Sequence, residues 1–308
     1  MKRFLALLLT ALLLLTGCAR QEYLQEEIFC MDTVMSLKIW GPEEAMDGCR
    51  EALYGLQNTW SATREDSLIS RLNRGEAMAL TEEERLLLEK VEALSARTGG
   101  AFDPRLGALC EAWGFYGQSY RVPDAQQLAA ALDESKWDMG ASIKGYSGNV
   151  LVDILKETGA ERAVLNMGGN VQTFGEKEDG SPWLVAVQDP FGGSGYACLI
   201  SVTGTCAVVT SGDYQRYFEE NGVRYHHILD PETGYPADSG LASVTVVCRD
   251  GLTADALSTA LFVMGLEEGS RFWRESEDYE AVFILKDGTV CATEGAQVSG
   301  CEYEVIRR

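Results

Sequence analysis

The chain has two histidines and they are adjacent, inside Tyr225-His226-His227-Ile228-Leu229-Asp230-Pro231. Imidazole titrates near neutral pH, so these are the first candidates for moving a proton. They close a β-type run and meet an Asp-Pro-x-x-Gly turn ending at Gly234. Neighbours on a strand point to opposite faces, so at most one of the pair can face a given pocket. A surface hairpin with two solvated histidines fits the same letters. Asp255 and Thr259 are four apart in a helical pattern, which stacks a carboxylate and a hydroxyl on one face. Such hard oxygen donors suit Mg²⁺, with water and phosphate completing the shell. The alternative is an exposed Asp favoured by the dipole at a helix start. Leu257, Leu261 and Met264 form the opposite stripe and should face the core.

A second constellation is Asp138-Met139-Gly140-Ala141-Ser142-Ile143-Lys144. A Gly before a turn and a lysine at a helix start suit anion binding by backbone amides and an ammonium. A plain loop followed by a solvated lysine is the competing reading. Gly168-Gly169, after a strand-like run, allows a tight hairpin or close approach of a ligand to the backbone. Thr210-Ser211-Gly212-Asp213-Tyr214 and Ala101-Phe102-Asp103-Pro104 are further polar turns at the ends of apolar runs.

These groups must be carried by elements legible as periodicity. Residues 29–40 alternate like a strand, and 42–60 read as a helix with Met46, Cys49, Leu53, Leu56 and Trp60 on one stripe. Thr81-x-x-Glu84 is a capping box opening a helix to about residue 98. Further helices are predicted over 123–134, 144–158 and 253–264. Strands are predicted over 162–166, 183–188, 197–202, 207–210, 224–229 and 243–247, with more alternation through 281–285, 289–291 and 303–306. Strands and helices come in blocks rather than strict alternation. That pattern predicts an α+β fold, largely antiparallel sheets with packed helices, as a single domain of two intimate lobes. No Gly-x-Gly-x-x-Gly or Walker-type loop is present.

The ends and the charge set further bounds. Lys2 and Arg3 precede an apolar run from Phe4 to Thr16, shorter than the roughly 20 residues a spanning helix needs. Leu15-Thr16-Gly17-Cys18 resembles a bacterial lipobox. That implies a signal peptide over 1–17, lipidation of Cys18, a tether over 18–28 and a mature domain over 29–308. The domain would then stand on the outer face of the cell membrane. With 26 basic against 47 acidic residues, the net charge is −21. That balance argues against nucleic acid as a partner, and an anionic ligand would need local help from a metal, a lysine or amides. Eight cysteines follow Cys18 without a CxxC or a metal-type cluster, and their redox state is open.

Taken in order, these blocks resemble the ApbE family of FAD:protein FMN transferases, many of which are lipoproteins. The matching segments include Met31-Asp32-Thr33-Val34, Asp66 to Asn73, Phe102-Asp103-Pro104, Asp138 to Tyr146, Leu165 to Asn170, Ser211 to Tyr214, His226 to Pro236 and Asp255 to Thr259. They span nearly the whole chain after the leader. The resemblance implies that FMN is moved from FAD to a threonine of an acceptor protein, a redox-complex subunit or exported flavoprotein, releasing AMP. It implies Mg²⁺ held by Asp255, Thr259 and the carbonyl of Ala141, phosphate paired with Lys144, and His227 as base. Met31, Ala101, Phe102, Asp103, Asp138 and Leu229 stand where the family contacts the flavin nucleotide. His226 would pack on the other face. Hydrolysis of FAD by water and non-catalytic flavin binding are the alternatives. The chain departs from the family pattern at Thr63, often Tyr, at Asp32, often Gly, at Ser142-Ile143, and at Asn149, often Asp.

Overall fold

The computed structural model describes residues 23–193 and 195–308. The apolar leader, Cys18 and the first part of the expected tether lie outside the described residues. Leu24–Cys30 (β1) and Thr33–Trp40 (β2) form a hairpin in which Cys30 pairs with Thr33. Between them Met31 and Asp32 both take positive φ, 52° and 58°, the two-residue turn whose twist suits adjacent strands. The single strand expected over 29–40 is therefore two, because this turn is written without Gly or Asn. The tether expected over 18–28 also ends earlier. β1 is already paired at Leu24, so the folded unit starts ahead of residue 29.

In chain order there follow α1 (Glu43–Trp60), α2 (Leu68–Asn73), α3 (Glu82–Arg97), α4 (Gly107–Trp113), α5 (Ala125–Asp133) and α6 (Ile143–Glu157). Strands β3 (Arg162–Met167), β4 (Asn170–Phe174), β5 (Trp183–Gln188), β6 (Tyr196–Val202) and β7 (Cys206–Gly212) come next. Then come β8 (Tyr217–Glu220), β9 (Val223–His226), β10 (Leu241–Cys248) and α7 (Gly251–Arg274). The chain finishes with β11 (Tyr279–Leu285), β12 (Val290–Thr293), β13 (Val298–Ser299) and β14 (Glu304–Ile306).

The main sheet has nine strands in the order β1-β2-β3-β4-β7-β10-β11-β12-β14. Its junctions are antiparallel except for β12 with β14. The α+β class with largely antiparallel sheet is thus the one observed. Strand alternation distributes the two faces. Ala207 and Val209 of β7 pack with Leu257, Leu261 and Phe262 of α7, whereas Val208 between them packs with Val185 and Ile200 of the small sheet β13-β6-β5. Under the other half of the sheet, Met46, Cys49 and Leu53 of α1 and Leu151 of α6 cover Leu37, Ile39 and Leu165.

The capping box closes as read: Thr81 Oγ1 accepts from Glu84 N–H at 3.2 Å and Glu84 accepts from Thr81 N–H at 2.7 Å. Helix α7 runs past the expected end at residue 264. Gly265, at φ 77°, interrupts it, but Trp273 beyond is fully buried and holds the continuation on the core. Helices α2 and α4 and strands β4, β8 and β13 are not among the expected elements. Residues 170–174 carry buried polar side chains, Asn170, Gln172 and Thr173, which hide the strand from a hydrophobicity pattern.

The β1–β2 turn makes a direct prediction. An L-residue in the left-handed region costs about 1 kcal/mol, so Asp32→Gly should stabilise the chain and raise its melting temperature by roughly 1–3 °C. Calorimetry that shows a lower melting temperature would contradict this account of the turn.

Candidate active site

A cleft of about 850 Å³ opens where the two halves of the sheet and the helical layer meet. All eleven cleft candidates of the sequence reading line it: Met31, Ala101, Phe102, Asp103, Asp138, Ala141, Lys144, His227, Leu229, Asp255 and Thr259. They come from segments scattered over the chain, and two helix starts bring the polar ones together.

Those starts are α6 and α7, which cross at backbone contact. A Cβ on Gly145 would lie 2.1 Å from the Gly251 carbonyl oxygen, and one on Gly251 would lie 2.3 Å from that of Gly145. Gly145 N–H donates to Asp255 Oδ2 at 2.8 Å. Asn149 adds a second tie, accepting from Gly251 N–H at 2.7 Å and donating to Asp250 at 2.9 Å. Asp250 in turn caps α7 by accepting from Thr253 N–H. Asp255 is only 4 % exposed, so the solvated-Asp alternative does not hold. Leu257 and Leu261 face the core as expected, while Met264 is only partly buried.

Asp255 keeps one carboxylate oxygen without a hydrogen-bond partner among the described residues. Thr259 is similarly poised by a chain of hydroxyls. Ser258 Oγ donates to the Asp255 carbonyl at 2.9 Å, Ser211 Oγ lies 2.8 Å from Ser258 Oγ, and Thr259 Oγ1 lies 3.3 Å from Ser211 Oγ. With the Ser258 proton committed, Ser211 donates to Ser258 and Thr259 donates to Ser211. The Thr259 oxygen then has lone pairs free toward the cleft. These donors are hard oxygens, the set a small divalent cation takes. Among the described residues no group of three or more His, Cys, Asp or Glu encloses a metal. A cation here would draw most of its shell from water and ligand phosphate.

His227 sits just past β9, which ends at His226 rather than at residue 229 as expected. Its N–H donates to the Arg216 carbonyl at 3.1 Å, and its Nδ1 lies 3.2 Å from the same oxygen. A carbonyl only accepts, so Nδ1 carries the ring proton and Nε2 keeps its lone pair. Burial, then the positive charges of Arg216 and Lys144, push the imidazole down to about 3. His227 is therefore neutral at physiological pH. His226 points the other way, edge-on to Phe262 with ring centres 5.5 Å apart, and donates from Nε2 to the Ala237 carbonyl. Burial pushes it down to about 4. The pair splits between two faces, as alternation requires.

Lys144 Nζ donates to the Gly140 carbonyl at 3.2 Å and lines the cleft. Arg216 lines it too and makes no ion pair among the described residues. Nothing in the sequence singles out Arg216; its role emerges only when β8 and β9 fold back and its carbonyl meets His227. Asp138 organises its own loop, accepting from Tyr116 O–H at 2.8 Å and Gly140 N–H at 2.7 Å. Asp103 accepts from Arg105 N–H, and burial raises its carboxyl above the usual range. Phe102 and Leu229 are buried and shape the wall, whereas Met31 N–H is fixed by Gln57 Oε1 at 2.6 Å. Thr63 is exposed on the rim, and the aromatic Phe29, 68 % exposed, lines the same cleft.

Residues 31–283 match the ApbE family. The chain is 33% identical over 272 residues to a FAD:protein FMN transferase of Treponema pallidum, covering 76% of this chain and 75% of that one. It is 32% identical to a FAD:protein FMN transferase of Vibrio cholerae, covering 90% and 92%. Among solved structures, the ApbE protein of Thermotoga maritima superposes with a TM-score of 0.83 at 32% identity, over 89% of this chain and 98% of that one. The flavinyl transferase ApbE of Pseudomonas stutzeri superposes at 0.75 with 29% identity, over 89% and 95%.

Both histidines are held neutral in the folded state, below the ordinary value of 6.5. The unfolded chain takes up protons that the folded chain refuses, so stability is flat above pH 6.5 and falls as pH descends toward 4. Urea unfolding should lose roughly 2 kcal/mol between pH 7 and 5.5 from the pair. His226→Gln should remove about half of that loss; an unchanged pH slope in the variant would contradict the assignment.

Proposed function

The chain belongs to the ApbE family, and on that premise we propose that it transfers the FMN half of FAD to a threonine hydroxyl of an acceptor protein, releasing AMP. The observation that carries the reading is the convergence of a neutral His227, its Nε2 unprotonated, with Lys144, Arg216, Asp255 and Thr259 on one cleft. About 850 Å³ is at the upper end of small-molecule and cofactor sites, which suits a dinucleotide.

The acceptor oxygen attacks the FMN-side phosphorus, the bond from that phosphorus to the bridging oxygen breaks, and AMP leaves with the bridging oxygen. His227 Nε2 takes the threonine proton. Such a base contributes on the order of 10²–10⁴-fold. Its low affinity for protons in the free protein keeps it ready, and the incoming phosphates raise that affinity where the proton must be held. Lys144 and Arg216 pair with phosphate oxygens, a need that the chain's net charge of −21 makes acute. Asp255, Thr259 and the Ala141 carbonyl would hold Mg²⁺, which supplies charge neutralisation at the diphosphate. The oxygen-only donors and the free acceptor positions on Asp255 and Thr259 support that cation.

For location, removal of residues 1–17 and a lipid on Cys18 would tether the domain to the outer face of the bacterial membrane. The acceptor would then be a flavin-bearing redox-complex subunit or exported flavoprotein. No described helix is long and apolar enough to cross a membrane.

The test is incubation of the chain with FAD, Mg²⁺ and a threonine-bearing acceptor domain, reading in-gel flavin fluorescence and AMP. The expected result is a fluorescent acceptor with AMP in equal amount. His227→Ala should cut the rate by roughly 10²–10⁴, Asp255→Ala should abolish it, and Arg216→Ala should cost about 10–100-fold. AMP without a labelled acceptor would replace the transferase reading with hydrolysis. Neither product would leave a flavin-binding protein.

A further inference from the structure

The described residues include eight cysteines, all free thiols. Several are engaged singly with backbone. Cys30 Sγ donates to the Leu53 carbonyl at 3.4 Å, Cys206 to that of Cys248 at 3.3 Å, and Cys248 to that of Asp278 at 3.3 Å. Cys198 and Cys301 differ, because both enter one apolar cluster beside the small sheet, close enough for each thiol to act on the other's ionisation.

The backbone explains the meeting. β13 runs antiparallel to β6 with Val298 opposite Ile200 and Ser299 opposite Leu199, and that register brings Gly300 opposite Cys198. Strict alternation would send the next side chain, Cys301, to the far face of the small sheet. Gly300 takes φ 83° and breaks the alternation. Cys301 turns back into the apolar cluster that holds Cys198, Ile200 and Val298. Cys198 is buried there, while Cys301 is partly exposed. Cys301 is the more accessible residue of the two.

We propose that Cys198 and Cys301 are a disulfide site that locks the C-terminal segment onto the small sheet. The step needs a disulfide donor. The Cys301 thiolate attacks one donor sulfur, a mixed disulfide forms and one donor thiol leaves. The Cys198 thiolate then attacks the Cys301 sulfur and the second donor thiol leaves. Two protein thiols are oxidised and one donor disulfide is reduced to two thiols. Burial pushes Cys198 up to about 12, so the closing step is slow at neutral pH and faster in alkali. The loop so closed, residues 198–301, contains His227, Arg216, Asp255 and Thr259. The cross-link thus restrains the unfolded form of the segments carrying these four residues, while neither sulfur lines the cleft.

The full chain is incubated with oxidised glutathione at pH 8.5, blocked with an alkylating reagent under denaturing conditions, and mapped by non-reducing peptide mass spectrometry. The expected result is one cross-linked peptide joining Cys198 to Cys301, lighter by two hydrogens, with the other cysteines alkylated. Oxidised protein should melt roughly 5 °C higher than reduced protein, and Cys301→Ala should lose that difference. Alkylation of both residues, glutathione left on Cys301, or a cross-link between other cysteines would each overturn the proposal.

Discussion

The site rests on one close approach. Gly145 and Gly251 let the starts of α6 and α7 touch at the backbone, and a single methyl on either would collide with the other's carbonyl. From that contact follow the Gly145 N–H bond that fixes the Asp255 carboxylate, the burial of Asp255 and the position of Thr259 one turn on. Ala141 and Lys144 ride on the approach to α6, so carbonyl, ammonium, carboxylate and hydroxyl reach one cleft wall. Asn149 secures the same crossing with both ends of its amide. Its partner Asp250 is acidic, so an amide that donates to it while accepting from Gly251 N–H avoids placing two carboxylates in contact.

The second theme is charge. An acidic chain should repel a diphosphate, yet the cleft holds Lys144 and an Arg216 that spends its guanidinium on no carboxylate among the described residues. The same two cations, with burial, keep His227 unprotonated. On the proposed reaction, one arrangement would both attract the anion and ready the base. The Arg216 carbonyl, by accepting the Nδ1 proton, leaves Nε2 as the atom that can accept another.

Local chemistry was the legible part. The capping box at Thr81, the opposed histidines, and the stacking of Asp255 with Thr259 all follow from spacing alone. Family resemblance then named the remaining cleft residues. What spacing could not show was contact made by backbone. Periodicity alone favours a solvated Asp255, because nothing local reveals that Gly145 will lie against it. Arg216 is not legible in the sequence because it meets His227 only through the β8–β9 hairpin. The β1–β2 hairpin was hidden by Met31 and Asp32 in conformations that Gly usually supplies. Helix α7 outran its expected end because Trp273 is held by tertiary packing after Gly265.

The most direct measurement is the anomalous signal of Mn²⁺, used in place of Mg²⁺, in crystals grown with FAD. The account predicts one strong peak within about 2.2 Å of oxygens from Asp255, Thr259 and Ala141, beside the diphosphate. A peak elsewhere in the molecule, or bound FAD with no peak at these three oxygens, would contradict it.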